Sequence, residues 1–157
     1  MHRRSFVLGL GGSAVLAKGL AAGPARSSAS ARADRLVMDA MGELRPEYEP
    51  GLIRDMLASG MDSITVTLCD PKPEGAEALE LALDSLLQHD RYLASKPEFF
   101  VKATSVRDVE AARRAGKMAV FYLYQNTVQF GRDLDRVEVF HRLGLRACQL
   151  TYNTKNH

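Results

Sequence analysis

GKMAVFYLYQNTVQFGRDLDRVEVFHRLGLRACQLTYNTKNH, residues 116–157, is the stretch whose reading decides the fold. Met118 to Tyr124 is apolar without alternation, which suits a strand covered on both faces. Gln125-Asn126 closes it in polar groups. Asp133 to Leu143 then sets Leu134, Val137, Phe140 and Leu143 at helical spacing, and Gly144 stops the helix. Leu145 to Thr151 reads as the next strand. Strand, loop, helix and strand make the repeating unit of a parallel α/β sheet.

The same unit recurs toward the N-terminus. Ser105 caps a helix through Val106, Val109, Ala112 and Ala115, with Asp108 in its first turn and Gly116 past its end. Phe99 to Ala103 is a short strand. Glu74 to Ala94 is the longest helix, and Leu79, Leu83, Leu86, Leu87 and Leu93 form its apolar stripe. Ser63 to Cys69 is β-branched and reads as a strand, broken by Asp70-Pro71-Lys72-Pro73. Leu52, Ile53, Met56 and Leu57 recur at helical spacing up to Gly60. Arg35 to Met41 is a first strand, apolar up to an acid and expected to be covered on both faces. The order β-α-β-α-β-α-β-α-β predicts a parallel sheet with right-handed crossovers. Five such units make either an open doubly wound sheet or part of a (β/α)8 barrel. On length alone the open sheet is favoured, since a barrel takes about 250 residues.

The first residues belong to a different device. Met1-His2-Arg3-Arg4-Ser5-Phe6 is basic, and Phe6 to Ala17 carries no charge. That run is shorter than the roughly 20 apolar residues of a membrane span. With small residues at Ala29-Ser30-Ala31 and Ala31-Arg32-Ala33, it reads as an export signal over residues 1–33. Arg3-Arg4 ahead of Ser5-Phe6-Val7-Leu8 points to the twin-arginine route, hence a periplasmic or exported protein. An ordinary secretory signal and an uncleaved anchor are the alternatives. That route carries folded cargo, which mildly favours a protein holding a metal or other cofactor. The net charge of +2 lies largely in this leader, so there is no basic stripe and nucleic acid is not an expected partner. Cys69 and Cys148 either pair in an oxidising compartment or sit as buried thiols. Their spacing to the histidines builds no structural zinc site.

In both parallel architectures the chemistry lies at the carboxyl ends of the strands. Those ends carry Asp39 and Glu43, then Cys69-Asp70, Thr104, Gln125-Asn126, and Tyr152-Asn153. Asp39 and Glu43 are the carboxylates suited to a cation, and Gln125 and Asn126 add oxygens. The competing reading is that such groups cap helices and tie loops. His89 and His141 fall on helices as surface or packing residues. No glycine-rich phosphate loop follows a strand, and no Gly-x-Ser-x-Gly elbow supports a serine hydrolase.

The run Gly116-Lys117-Met118-Ala119-Val120, Gln125, Asp133-Leu134, Phe140-His141-Arg142-Leu143-Gly144-Leu145-Arg146 and Leu150-Thr151-Tyr152-Asn153 with Asn156 resembles the membrane (renal-type) dipeptidases, peptidase family M19. Val37 to Leu44 is similar to that family's "vvDgHnDlp". The resemblance runs from about Leu36 to His157. It implies a (β/α)8 TIM barrel of the metal-dependent hydrolase type, two zinc ions, and hydrolysis of small dipeptides. It places Glu43 and Gln125 at metal positions, which with the strand-end carboxylate Asp39 make the expected metal set, and Tyr152 and Asn153 are the residues expected toward the substrate. It also makes peripheral membrane association and a full-length homodimer expectations. Three positions depart from the family pattern. Met41 stands where a metal histidine is expected, Gln125 where a bridging glutamate is, and Tyr152 where a histidine is. A thioether is a poor zinc ligand, and an amide lacks the charge that holds two dications.

The resemblance therefore predicts the (β/α)5 part of an incomplete barrel over residues 34–157, cut after the fifth strand of eight, inactive alone and prone to aggregate through open sheet edges. A dipeptidase-like metallohydrolase is the first functional expectation. A metal-poor relative that binds a small peptide-like ligand without catalysis is the alternative. A self-standing open-sheet binding domain is the third.

Overall fold

The computed structural model describes residues 35–69 and 74–152. The export-signal segment and Asn153 lie outside the described residues. Contacts divide the chain at Asp34, and Arg35–His157 is the unit considered below.

Among the described residues, five parallel strands alternate with four helices: β1 (Met38–Gly42), α1 (Pro50–Ala58), β2 (Ser63–Thr67), α2 (Gly75–Ser95), β3 (Phe100–Lys102), α3 (Val106–Arg114), β4 (Met118–Tyr124), α4 (Asp135–Arg142) and β5 (Leu145–Cys148). A short 3-10 turn, Val128–Phe130, follows β4. The expected strand and helix order is present throughout.

β4 organises the sheet. One of its edges pairs with β2 along Ala119–Leu123. The other edge is divided: β3 takes Met118–Val120 and β5 takes Tyr122–Tyr124. At the carboxyl end the sequence of neighbours is therefore β1, β2, β4, β5, and β3 lies below β5 rather than between β2 and β4. A three-residue strand is too short to fill an edge that β4 offers over seven residues.

Side chains of β4 alternate between two cores, as the pleat requires. Met118, Val120, Tyr122 and Tyr124 join Ile53, Ile64, Val66, Ala82, Leu86, Leu93 and Phe140 in the larger one. Ala119 and Phe121 meet Ala103, Val109 and Ala112 of the smaller one. The long helix α2 turns Ala78, Ala82, Ser85, Leu86, Tyr92 and Leu93 inward. The leucine stripe is thus corrected: Leu83 and Leu87 are exposed, and the small Ala78 and Ala82 face the sheet. Their size lets the helix backbone come close enough for the Tyr124 hydroxyl to donate to the Ala82 carbonyl at 2.7 Å.

Two other expectations change. On α4 the buried residue is Phe140, whereas Leu134, Val137 and Leu143 are exposed; Leu134 and Leu143 fall at the caps, just outside the helix. Leu36, Val37 and Met38 are exposed, because β1 closes one side of the sheet and has β2 alone as a described neighbour.

The start of α3 shows how a strand-end polar group is used structurally. The Asp108 carboxylate accepts the Thr104 and Ser105 N–H groups at 2.8 Å each, and the Ser105 hydroxyl at 3.0 Å. These bonds, the Thr104 N–H first, hold its carboxyl below the usual range. A depressed carboxyl adds stability above its unfolded pKa of about 4, and that contribution is lost as pH falls through the lower folded value. We expect Asp108→Ala to cost about 1 kcal/mol at neutral pH. Acid unfolding curves of wild type and variant should converge below pH 4. A gap that persists unchanged there would contradict the role of this charge.

Candidate functional site

The carboxyl ends of β1, β2, β4 and β5 border a cleft of about 660 Å³. Glu43, Arg45, Thr67, Gln125 and Tyr152 line it from the strand ends and the loop after β1, and His89 lines it from α2.

The end of β1 is irregular, and this sorts the predicted residues. Asp39 is level with Ile64 and Gly42 with Val66, so three steps on β1 oppose two on β2. One extra residue of this kind re-aims side chains. Ile64 and Val66 belong to the larger core, so Asp39 and Gly42 face that side. A Cβ on Gly42 would stand 2.7 Å from Asp39 Oδ2 and 2.5 Å from Ile64 Cδ1, so only glycine fits beneath the carboxylate. Asp39 Oδ1 accepts the Met41 N–H at 3.1 Å. Met41 itself turns the other way, and its Sδ accepts a hydrogen bond from Gln125 Nε2 at 3.3 Å.

The three residues predicted for metal are thus not gathered. Gln125 and Met41 meet each other, and Asp39 is on the opposite face. Glu43 shares the cleft with Gln125 but is engaged: Arg45 Nε donates to its Oε2 at 2.8 Å, and Arg45 Nη2 contacts the same oxygen. Tyr152 lines the cleft and is partly exposed. Asn126 is buried; its carbonyl accepts from Gln129 Nε2 at 3.1 Å and from Cys148 Sγ at 3.0 Å, so it serves the turn after β4. Cys69 and Cys148 are not joined in a disulfide. Burial pushes Cys148 up to about 11.

Sequence reasoning missed a second polar assembly. Asp90 accepts Lys102 Nζ at 2.7 and 3.0 Å and the Tyr122 hydroxyl at 2.8 Å. Lys102 Nζ also lies 4.8 Å from the Tyr122 ring centroid and donates to Leu143 O at 2.8 Å. Gly144, at φ +107°, makes room for it, since a Cβ there would fall 2.5 Å from Lys102 Cε. Asp90 and Lys102 sit twelve residues apart on different elements, and nothing in their local spacing announces the pair.

The sequence profile of the membrane dipeptidases (peptidase family M19) matches residues 52–157, more than half of the chain. The chain belongs to that family. The match begins after β1, so the placement of Met41 and Glu43 at the family's metal positions rests on the resemblance of Val37 to Leu44. Solved structures share the fold. An amidohydrolase from Pseudomonas aeruginosa aligns at TM-score 0.68 with 23% identity, over 82% of this chain and 37% of its own. The probable dipeptidase PvdM from the same organism aligns at 0.66 with 15% identity, over 82% and 37%. A metallopeptidase from Rhodobacter sphaeroides, liganded with a phosphinate mimic of the dipeptide L-Ala-D-Ala, aligns at 0.62 with 16% identity, over 72% and 44%. The chain therefore spans less than half the length of these structures. No curated protein matches it. The α/β sheet seen here is the partial barrel that the M19 resemblance implied.

M19 membership implies a metal cofactor for the family. The donors described here do not suit a pair of dications: a thioether, an uncharged amide already bonded to it, and a carboxylate already paired with a guanidinium. Among the described residues, no three His, Cys, Asp or Glu side chains gather for a metal ion.

Proposed function

We propose that this protein is a dipeptidase-like hydrolase of the M19 type, whose cleft at the carboxyl ends of the strands receives a small dipeptide. The family match over residues 52–157 carries this reading. The phosphinate dipeptide mimic bound by the Rhodobacter sphaeroides relative supports the ligand class. On this chain, Tyr152 and Arg45 offer donors at the cleft wall, and Gln125 lines the same cleft with its amide nitrogen held by Met41. Two zinc ions and hydrolysis are the family's chemistry, and we propose them only for a form that supplies donors beyond those described.

The Met41–Gln125 contact favours a second reading, in which the ligand is bound without the metal pair. Metal analysis beside a dipeptide hydrolysis assay separates the two. Zinc near two ions per chain, with cleavage, supports the hydrolase. Dipeptide binding by calorimetry without zinc or cleavage supports the metal-poor relative. A protein that neither binds nor cleaves dipeptides contradicts both. We expect the 157-residue chain alone to take up well under one zinc per chain, so the zinc count that separates the two readings belongs to a form that supplies the further donors.

Export through the twin-arginine route is a proposal resting on Arg3-Arg4 and the weakly apolar run after them. Residues 1–33 fused to a reporter that folds before transport should carry it out of the bacterial cytoplasm. Replacing both arginines by lysine should retain it inside. Export that survives the double change would refute this route.

A further inference from the structure

His89 is read from sequence as a packing residue, yet the structure ties it down in a directional way. Its Nδ1 lies 2.8 Å from the carbonyl oxygen of Ser85, one turn earlier on α2. A carbonyl only accepts, so Nδ1 must carry the proton of that bond. In the uncharged imidazole the other nitrogen, Nε2, is then an acceptor. The ring is also held from the sheet: Tyr122 meets it edge-on, with centroids 6.1 Å apart. Tyr122 is in turn fixed by its bond to Asp90, which Lys102 anchors. The helix backbone and an aromatic contact thus set the orientation of this side chain. It is half-buried and lines the cleft that holds Arg45, Gln125 and Tyr152.

We propose that His89 is a ligand-contacting residue, whose Nε2 accepts a hydrogen bond from an N–H group of the molecule in the cleft. The proposal rests on the reading that the cleft receives a dipeptide. Such a ligand presents two kinds of N–H, its terminal ammonium and its amide. The carboxylates Glu43 and Glu47 on the same wall make the cleft hospitable to the first, and Arg45 already compensates Glu43. In that uncharged form the ring is an acceptor of set orientation, which recognises either N–H without the desolvation cost of another charge.

Two substitutions split the ring's functions. Asparagine places an N–H donor where Nδ1 stands and nothing where Nε2 stands. Glutamine places an oxygen near Nε2 and gives up the bond to Ser85. Calorimetric titration with alanyl-alanine, on the protein as encoded, should show His89→Asn about tenfold weaker than wild type. Its unfolding midpoint should not move. His89→Gln should stay within about threefold of wild-type affinity. Alanyl-lactate, which keeps the ammonium and has an ester oxygen in place of the amide N–H, then locates the contact. A tenfold loss that persists identifies the ammonium, and a loss that vanishes identifies the amide. In parallel, nitrogen-15 spectra of the histidine rings should show the Nε2 resonance shifting as dipeptide is added. Wild-type binding with no effect of His89→Asn, or an unmoved Nε2 signal, would overturn the role of His89 alone. Absence of dipeptide binding by the wild type would instead remove the reading of the cleft, and this proposal with it.

Discussion

Phe140→Ala is expected to lower the unfolding free energy by about 3–5 kcal/mol, the largest effect of any single change considered. Phe140 is 1% exposed and is the buried residue of α4. Its ring stands edge-on to Tyr124 with centroids 5.5 Å apart, and lies tilted against Phe130 at the same separation. Truncation removes the transfer free energy of the ring, the aromatic contacts, and the lock between α4 and the sheet. The cavity left behind adds to the loss, because Tyr124 is held by its bond to Ala82 and cannot collapse into it. Urea unfolding monitored by circular dichroism measures the change. Val139→Ala, on the exposed face of the same helix, should stay within about 0.5 kcal/mol. Equal effects at the two positions would show that α4 is not docked through Phe140.

The second large effect belongs to Asp90. Asp90→Ala leaves the Tyr122 hydroxyl buried without its acceptor and Lys102 without its carboxylate. The side chains of Lys102 and Asp90 are 29% and 36% exposed, so solvent screens part of the charge interaction. The expected loss is about 2–3 kcal/mol, most of it from the stranded phenol. The pH dependence identifies the cause. Burial first, and then the bond to Asp90, raise the Tyr122 hydroxyl well above the ordinary tyrosine range; Tyr124 is raised by burial. A group with a raised folded pKa contributes fully below its unfolded pKa, about 10 for tyrosine, and the contribution drains away as pH climbs beyond it. Wild type should therefore lose stability steeply above pH 10, and Tyr122→Phe should lessen the slope. An unchanged alkaline slope in that variant would place the titration elsewhere.

These two sites were not equally legible. The element order was, because unbroken apolar runs such as Met118–Tyr124 and Ser63–Cys69 have few alternatives to a covered strand, and glycines at 60, 116 and 144 punctuate the helices. The facing of each helix was less so. In α2 the leucines outnumber the alanines and suggest a stripe, but the helix approaches the sheet through its small residues. The position of β3 was hidden, since three residues encode no preference for one neighbour over another. At the site, Asp39 was chosen as a carboxylate at a strand end, and the resemblance chose Glu43 and Gln125 by alignment. The extra residue between Asp39 and Gly42 leaves no mark in Met-Asp-Ala-Met-Gly, yet it sets Met41 on the face opposite Asp39. His89 was visible as a residue and invisible as a donor of defined direction, because its partner is a backbone carbonyl.

The divided edge of β4 bears on how the chain is made. β2 finds its partner only after more than fifty further residues have left the ribosome, a matter of seconds at roughly 5–20 residues per second. Until then β1 and β2 are a two-stranded ribbon, which is marginal by itself in water. Once Met118–Tyr124 emerges, it recruits β2 on one flank and β3 on the other, and leaves the upper half of that flank vacant for β5. Assembly of this sheet is thus gated late, by a single seven-residue segment, and the nascent chain before it is where chaperones should bind.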